Sequence, residues 1–169
     1  MKIAIIPGSF DPMTLGHVNV VERAAKMFDE VVVAVMINDQ KQYRFTLEQK
    51  TELAALSCAH IPNARVIADR GMLVDLVDRL GACAIVKGIR TLKDFRYEQP
   101  MAYFNRSHNP NAETLYLPCD KSMSRISSTL VRRRLDEGKK AGRPPSPQGH
   151  RKTCRMGYGS SLKKETSKF

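Results

Sequence analysis

The stretch Ile3-Ala-Ile-Ile-Pro-Gly-Ser-Phe-Asp-Pro-Met-Thr-Leu-Gly-His17 organises the rest of the chain. Its four apolar residues predict a short buried strand, and Pro7-Gly8 predicts a turn. A helix is predicted to begin near Thr14, which places His17 one turn inside it and on the same face as Thr14. A strand, a glycine-containing loop and a helix N-terminus direct backbone N–H groups toward one point, which suits a phosphate.

The remainder of the chain alternates between strand-like and helix-like segments. Apolar strands are predicted at 30–37, 65–67, 82–86 and 113–118. Helices are predicted to begin at Thr46, where Gln49 completes a capping box, and then near residues 73, 91 and 127. This alternation predicts an α/β domain with a parallel sheet.

The composition is that of a globular protein. The chain has 169 residues, of which 42% are hydrophobic and 27% charged, enough for one domain with a core. No segment has the pattern of a signal peptide or a membrane span, so we expect no membrane association. The cysteines at 58, 83, 119 and 154 are far apart, which predicts reduced, mostly buried thiols in a cytoplasmic protein and no metal site.

Most of the net charge of +11 belongs to the last 32 residues. Residues 138–169 hold nine of the 28 Lys and Arg but one of the 17 Asp and Glu. We therefore predict a domain at 1–137 and a basic, disordered or aberrant tail at 138–169. Nucleic-acid binding by this tail is a weak hypothesis, because only Tyr158 and Phe169 could stack on bases.

Cationic residues follow two predicted strands where open α/β sheets bind ligands. Lys41 follows the second strand, and Lys87-Gly88-Ile89-Arg90 ends the fourth. Gly88 lets the backbone approach a ligand, and the cations could bind phosphate oxygens. The alternative is that these side chains are simply solvated.

Three motifs resemble those of one enzyme family. Gly8-Ser-Phe-Asp-Pro with Thr14-Leu-Gly-His17 resembles the HxGH nucleotidyltransferases, and the Thr resembles their phosphopantetheine adenylyltransferases. The segment 87–90 resembles that family's Arg-Gly-x-Arg, although Lys87 lacks the planar fork of arginine. Ile126-Ser-Ser-Thr129, with Arg132 one turn later, resembles its second motif at the start of the last core helix. The resemblance covers roughly residues 1–137.

The resemblance implies a doubly wound, Rossmann-like, five-stranded parallel sheet in the order 3-2-1-4-5. It implies transfer of an adenylyl group from ATP to 4′-phosphopantetheine, giving dephospho-coenzyme A and pyrophosphate in coenzyme A biosynthesis. Mg²⁺ would be carried on ATP. Coenzyme A would be a possible feedback ligand, and the chain would form a homohexamer if its atypical tail permits.

The same resemblance assigns the site residues. The catalytic residues would be Ser9, His17 and Lys41. The ATP site would comprise Ser9, Phe10, His17, Lys87, Gly88, Arg90, Glu98, Ser124, Ile126, Ser127, Ser128 and Thr129. The acceptor site would comprise Ser9, Lys41, Met72, Leu73, Lys87 and Arg90, with Met72 and Leu73 along the pantetheine arm. Met123 and Arg125 depart from the commonest family pattern, which leaves the packing of adenine in this loop open.

Two alternatives remain at the level of the sequence. The chain could be another transferase of the same superfamily, acting on nicotinate mononucleotide or glycerol phosphate, although Thr14 argues against this. It could also be a degraded homologue whose tail binds nucleic acid. The tail itself is either a functional extension or the product of a frameshift, and its abrupt composition favours the frameshift.

Overall fold

A computed structural model describes residues 1–38 and 41–138 of the chain. The predictions for the basic tail beyond Gly138, including those for Cys154, Tyr158 and Phe169, lie outside these residues. Over the described ranges, five strands alternate with five helices: β1 (Ile3–Gly8), α1 (Leu15–Ala25), β2 (Glu30–Met36), α2 (Leu47–Cys58), β3 (Ala64–Asp69), α3 (Leu73–Leu80), β4 (Ala84–Ile89), α4 (Leu92–His108), β5 (Thr114–Pro118) and α5 (Ser128–Asp136).

The strands form one parallel sheet in the order β3-β2-β1-β4-β5. The predicted doubly wound α/β fold and its strand order are confirmed. The core divides into two layers, one on each face of the sheet. Val20 and Ala54 of α1 and α2 pack on one face, and Val77 of α3 packs on the other. Alternate residues of β2 supply the two layers, which explains why the whole strand is apolar.

Three strands extend further than their sequences predict, among them β3, which was predicted at 65–67 and spans Ala64–Asp69. β1 continues through Pro7 and Gly8, which pair with Ala34 and Val35 of β2, so the predicted turn lies later than Pro7-Gly8. Proline is tolerated there because β1 pairs with β4 only at Ala4 and Ile5 and has one paired neighbour beyond that point. β1 and β4 therefore separate toward their carboxyl ends, and the sheet opens where its strand order reverses.

β4, predicted at 82–86, continues to Ile89, so Lys87 and Gly88 lie within the strand. They pair with Tyr116 and Leu117 of β5. Helix α4, predicted to begin near residue 91, runs from Leu92 to His108 and contains Pro100. The sequence could not show that a neighbouring strand continues the hydrogen-bond ladder through 87–89.

The predictions for the cysteines and for membrane spans can be compared with the described residues. Cys58, Cys83 and Cys119 are free thiols; Cys58 is buried, but Cys83 is exposed, so the expectation of mostly buried thiols is wrong at that position. Among the helices described, none combines the length and apolar character needed to cross a membrane.

Candidate active site

A cavity of about 630 Å³ lies where α1 and α5 begin. Thr14, Gly16 and His17 line it from α1, and residues 127–129 line it from α5. The two helix starts that the sequence predicts as phosphate sites therefore face one space. Each start contributes N–H groups that have no partner within its own helix, together with the positive end of the helix dipole.

His17 is fixed in one tautomer by the backbone of its own helix. The Thr14 N–H donates to Nδ1 of His17 at 3.0 Å, and the Thr14 hydroxyl lies 3.1 Å from the same nitrogen. Burial, assisted by the positive charge of Arg90, lowers the pKa of His17 to about 4. The imidazole is therefore neutral near pH 7, with its proton on Nε2. It can donate a hydrogen bond to an anionic oxygen without carrying a charge of its own.

The three hydroxyl groups at the start of α5 are already engaged. The Ser127 hydroxyl caps the helix by accepting the Leu130 N–H at 3.1 Å. The Ser128 hydroxyl donates to the Pro12 carbonyl at 2.9 Å, which ties α5 to the loop after β1. The Thr129 hydroxyl accepts from Nη2 of Arg132 at 3.1 Å. The N–H groups of Ser128 and Thr129, which a first helical turn leaves without a helical partner, are thus the natural phosphate donors here.

Arg90, between β4 and α4, is held at the cavity wall by the carboxylate of Asp94, four residues later in the chain. Asp94 accepts from Nε and Nη2 of Arg90 at 3.0 and 3.3 Å, and also from its backbone N–H at 3.1 Å. Partial burial opposes ionisation of Asp94, but these hydrogen bonds from Arg90 outweigh it and lower the pKa of the carboxyl. Asp94 therefore orients a guanidinium at the cavity wall.

Lys87, like Arg90, is paired with a carboxylate. Its Nζ lies 3.2 Å from Oε2 of Glu98, and both side chains are largely shielded from solvent. Glu98 lines the cavity, but Lys87 does not. Lys41 also lines the cavity and is exposed.

The cavity brings most of the predicted site residues together. Ser9, His17, Lys41, Gly88, Arg90, Glu98, Ile126, Ser127, Ser128 and Thr129 line it. Phe10, Met72, Leu73, Lys87 and Ser124 do not. Met72 is exposed at the N-cap of α3, and Leu73 packs against the core on that face of the sheet.

Phe10 has a packing role that the sequence did not reveal. Its ring is buried, lies edge-on to His17 at 5.2 Å between ring centres, and covers Gly8. A Cβ at Gly8 would lie 2.9 Å from that ring, so glycine is required for this close approach. The backbone of Phe10 has φ 42°, an unusual value for a residue other than glycine. What Phe10 can offer a phosphate is therefore its backbone and not its ring.

Two further cavity residues, Asp11 and Arg132, belong to the quoted motifs but were not among the assigned site residues. Nη1 of Arg132 lies 2.6 Å from the Asp11 carbonyl oxygen and 3.3 Å from Oδ2 of its carboxylate. Only their positions inside the Gly-Ser-Phe-Asp-Pro and Ser-Ser-Thr motifs could have singled them out. Their contact joins residues 121 positions apart, which no local pattern predicts.

The chain is similar in sequence to known proteins over most of its length. The family model described as cytidylyltransferase-like matches residues 5–134. Phosphopantetheine adenylyltransferase of Symbiobacterium thermophilum is 46% identical over 129 residues, which are 76% of this chain and 80% of that protein. The enzyme of the same name from Actinobacillus succinogenes is 44% identical over 132 residues, 78% of this chain and 82% of that protein.

A solved structure supports the fold alone. The lipopolysaccharide core biosynthesis protein from Thermoplasma volcanium superimposes with a TM-score of 0.52 at 20% identity, covering 72% of this chain and 98% of that one. The curated relatives are far more similar in sequence and match most of their own length. By sequence, this chain belongs to the phosphopantetheine adenylyltransferase family, within the cytidylyltransferase-like proteins.

Proposed function

We propose that this chain transfers the adenylyl group of ATP to 4′-phosphopantetheine, giving dephospho-coenzyme A and pyrophosphate. The observation that carries the proposal is the shared cavity, in which two helix N-termini, a neutral His17 and the cations Lys41 and Arg90 face one another. Such a site suits a substrate with a row of phosphate groups. Membership of the family supports the same reaction.

In the proposed reaction, an oxygen of the acceptor's phosphate monoester attacks the α-phosphorus of ATP. The bond from that phosphorus to the oxygen bridging to the β-phosphate breaks, and pyrophosphate leaves with the electron pair. The acceptor oxygen is already anionic, so no general base is required. Catalysis then consists of alignment and stabilisation of charge on the α-phosphate.

Each group of residues has a proposed role. His17 donates from Nε2 to an α-phosphate oxygen, assisted by Lys41 and by the loop backbone at Ser9 and Phe10. The amides of Ser128 and Thr129 bind the β- and γ-phosphates, with Ser127 as their cap, and Gly88, Ser124 and Ile126 complete the ATP site. Glu98 would bind the ribose. Arg90 and Lys41 hold the acceptor phosphate, assisted by Lys87 once it exchanges Glu98 for substrate. We retain Met72 and Leu73 as contacts for the pantetheine arm outside the cavity described above.

Mg²⁺ enters this scheme as part of the substrate. Within residues 1–38 and 41–138, no group of three or more His, Cys, Asp and Glu side chains is arranged to hold a metal ion. The carboxylates of Asp94 and Glu98, which line the cavity, are paired with Arg90 and Lys87. A hard divalent ion bridging triphosphate oxygens needs few protein ligands.

The setting of the enzyme is also proposed. We infer a cytoplasmic enzyme, and a homohexamer if the tail permits; exposed apolar residues on α4, among them Met101, Tyr103 and Phe104, support assembly. Coenzyme A is a proposed feedback ligand, because it contains the pantetheine arm and the adenylyl group of the product. The domain boundary at 137 remains a prediction.

An acceptor panel tests the proposed function. Purified protein is incubated with ATP or CTP, and with 4′-phosphopantetheine, nicotinate mononucleotide or glycerol 3-phosphate; pyrophosphate release is followed and products are identified by mass spectrometry. The proposal expects dephospho-coenzyme A from ATP and 4′-phosphopantetheine. Preference for another acceptor, or for CTP, would reject it in favour of another transferase of the superfamily.

A further inference from the structure

Residues 41–45, here called the Lys41 segment, connect β2 to α2 at the edge of the cavity. Lys41 itself is exposed, but the far end of the segment is fixed. The N–H groups of Arg44 and Phe45 donate to Oδ2 and Oδ1 of Asp11, each at 3.1 Å. The position of the segment thus depends on a carboxylate that belongs to the loop after β1.

Asp11 is almost fully buried, at 3% exposure, and its carboxylate has a third partner. Nη1 of Arg132 lies 3.3 Å from Oδ2 and also donates to the Asp11 backbone carbonyl. One buried carboxylate therefore joins three elements of the cavity: the loop after β1, the Lys41 segment and α5. A carboxylate taken out of water requires such partners, and a rigid arrangement follows from satisfying both of its oxygens.

The Lys41 segment is fixed from a second side by Lys50 of α2. Lys50 is 1% exposed, and its Nζ lies 3.6 Å from the centre of the Tyr43 ring, within cation–π distance. Burial lowers the pKa of Lys50, while the negative charge of Asp11 acts in the opposite direction. Tyr43 in turn accepts the Asn38 N–H at 2.8 Å. Lys50 thus gives the segment a second buried contact, through Tyr43.

We propose that Asp11 is a positioning residue that acts through Lys41, holding the segment so that the Lys41 ammonium is presented to the reacting phosphates. This inference rests on the proposed function for what Lys41 does. Asp11 faces the N–H groups of Arg44 and Phe45 with its carboxylate, so it does not need to touch substrate. Its contribution is to restrict the conformations of the Lys41 segment before ATP and acceptor bind.

The test compares Asp11→Asn with a matched control, Asp136→Asn. The asparagine keeps the shape but turns one acceptor oxygen into an NH₂ donor, which must then face an N–H or the guanidinium. Asp136 is an exposed carboxylate that pairs with the side chain of Arg44, so the control removes a surface contact to the same segment. Hydrogen exchange of the peptide containing Arg44 and Phe45 measures the protection of the N–H groups that bind Asp11. This measurement does not depend on which substrate the enzyme uses.

The expected result has three parts. Asp11→Asn loses exchange protection in the segment. Its kcat/KM for 4′-phosphopantetheine falls by about tenfold to a hundredfold, as expected when hydrogen bonds to a buried charge are removed. The Kd of ATP changes by less than about threefold, the usual size of a background effect. Asp136→Asn retains wild-type kinetics and protection.

A double-mutant cycle separates positioning from general stability. In a Lys41→Ala background, Asp11→Asn should lower kcat/KM for 4′-phosphopantetheine by less than about a further threefold, because the residue through which Asp11 acts is absent. Additive losses would overturn the proposal, as would unchanged protection in Asp11→Asn. If the wild-type protein fails to make dephospho-coenzyme A, the proposed function is rejected instead. The exchange measurement then still tests whether Asp11 holds the Lys41 segment.

Lys50→Met provides a second variant that leaves the Asp11 carboxylate and its hydrogen-bond partners in place. It keeps the buried volume but removes the cation above Tyr43. We expect a smaller loss of kcat/KM for the acceptor, about threefold to tenfold, matching the modest strength of a cation–π contact. This loss should also disappear in the Lys41→Ala background. Independent, additive effects of Lys50→Met and Lys41→Ala would contradict the proposal even if Asp11→Asn does not fold.

Discussion

Replacement of His17 by alanine tests the part of the mechanism that the structure defines most closely. The imidazole lines the cavity, its Nδ1 accepts the Thr14 N–H at 3.0 Å, and its pKa of about 4 keeps it neutral. These constraints leave the Nε2 proton as the group available to an α-phosphate oxygen. Alanine removes this donor and leaves a space that water can enter.

The expected magnitude follows from this single donor. Loss of one pre-aligned hydrogen bond to a developing oxyanion lowers kcat by about a hundredfold to a thousandfold, or about 2.7–4 kcal/mol. ATP affinity should change by less than about threefold, because the amides at the start of α5 remain and the donor acts mainly in the transition state. The two effects must separate if His17 acts as proposed.

The assay combines steady-state pyrophosphate release with calorimetric titration of ATP. His60→Ala serves as the control, because His60 is an exposed histidine that pairs with Glu22 away from the cavity. Its kcat should match that of the wild type. If His17→Ala retains kcat within about tenfold, or weakens ATP binding as much as it slows turnover, the proposed transition-state role is refuted.

Three other predictions concern pH, packing and the acceptor cation. The folded chain binds the His17 proton more weakly than the unfolded chain, whose pKa is 6.5, so unfolding free energy should rise by about 3 kcal/mol between pH 4 and 6.5. Denaturant titrations should lack this rise in His17→Ala. Gly88→Ala places a Cβ 2.7 Å from Val20 Cγ2 and should cost roughly 1–3 kcal/mol of stability, measured by urea unfolding; an unchanged midpoint contradicts the packing. Arg90→Lys loses the two-point contact with Asp94 and should lower kcat/KM for the acceptor by about tenfold in a pyrophosphate-release assay, whereas wild-type kinetics would remove Arg90 from the acceptor site.

The sequence predicted the parts of the fold that local patterns determine. The continuous apolar stretch of β2 reflects burial on both faces of the sheet, and the capping box at Thr46 and Gln49 forms as expected. The strand order came from the family resemblance, because hydrophobic periodicity does not determine which strands are neighbours. The limits of β1, β3 and β4 were missed, since pairing with neighbouring strands carries them past Pro7, past residue 67 and past Lys87.

The candidate site was predicted in outline, but its internal contacts were not. The convergence of His17 with residues 127–129 follows from the fold, since both helix starts follow the carboxyl ends of strands. The ion pair of Lys87 with Glu98 and the contacts of Asp11 with the Lys41 segment join residues on different elements of the fold. No periodicity or residue spacing in a single sequence predicts such contacts.

A structure of the protein with α,β-methylene-ATP, which cannot transfer its adenylyl group, would test the central claim most directly. The account predicts that Nε2 of His17 lies within hydrogen-bonding distance of an α-phosphate oxygen, about 2.7–3.2 Å. In the same molecule, the amides of Ser128 and Thr129 should contact β- or γ-phosphate oxygens. A triphosphate bound at only one of the two helix starts, with the other facing solvent, would contradict the account.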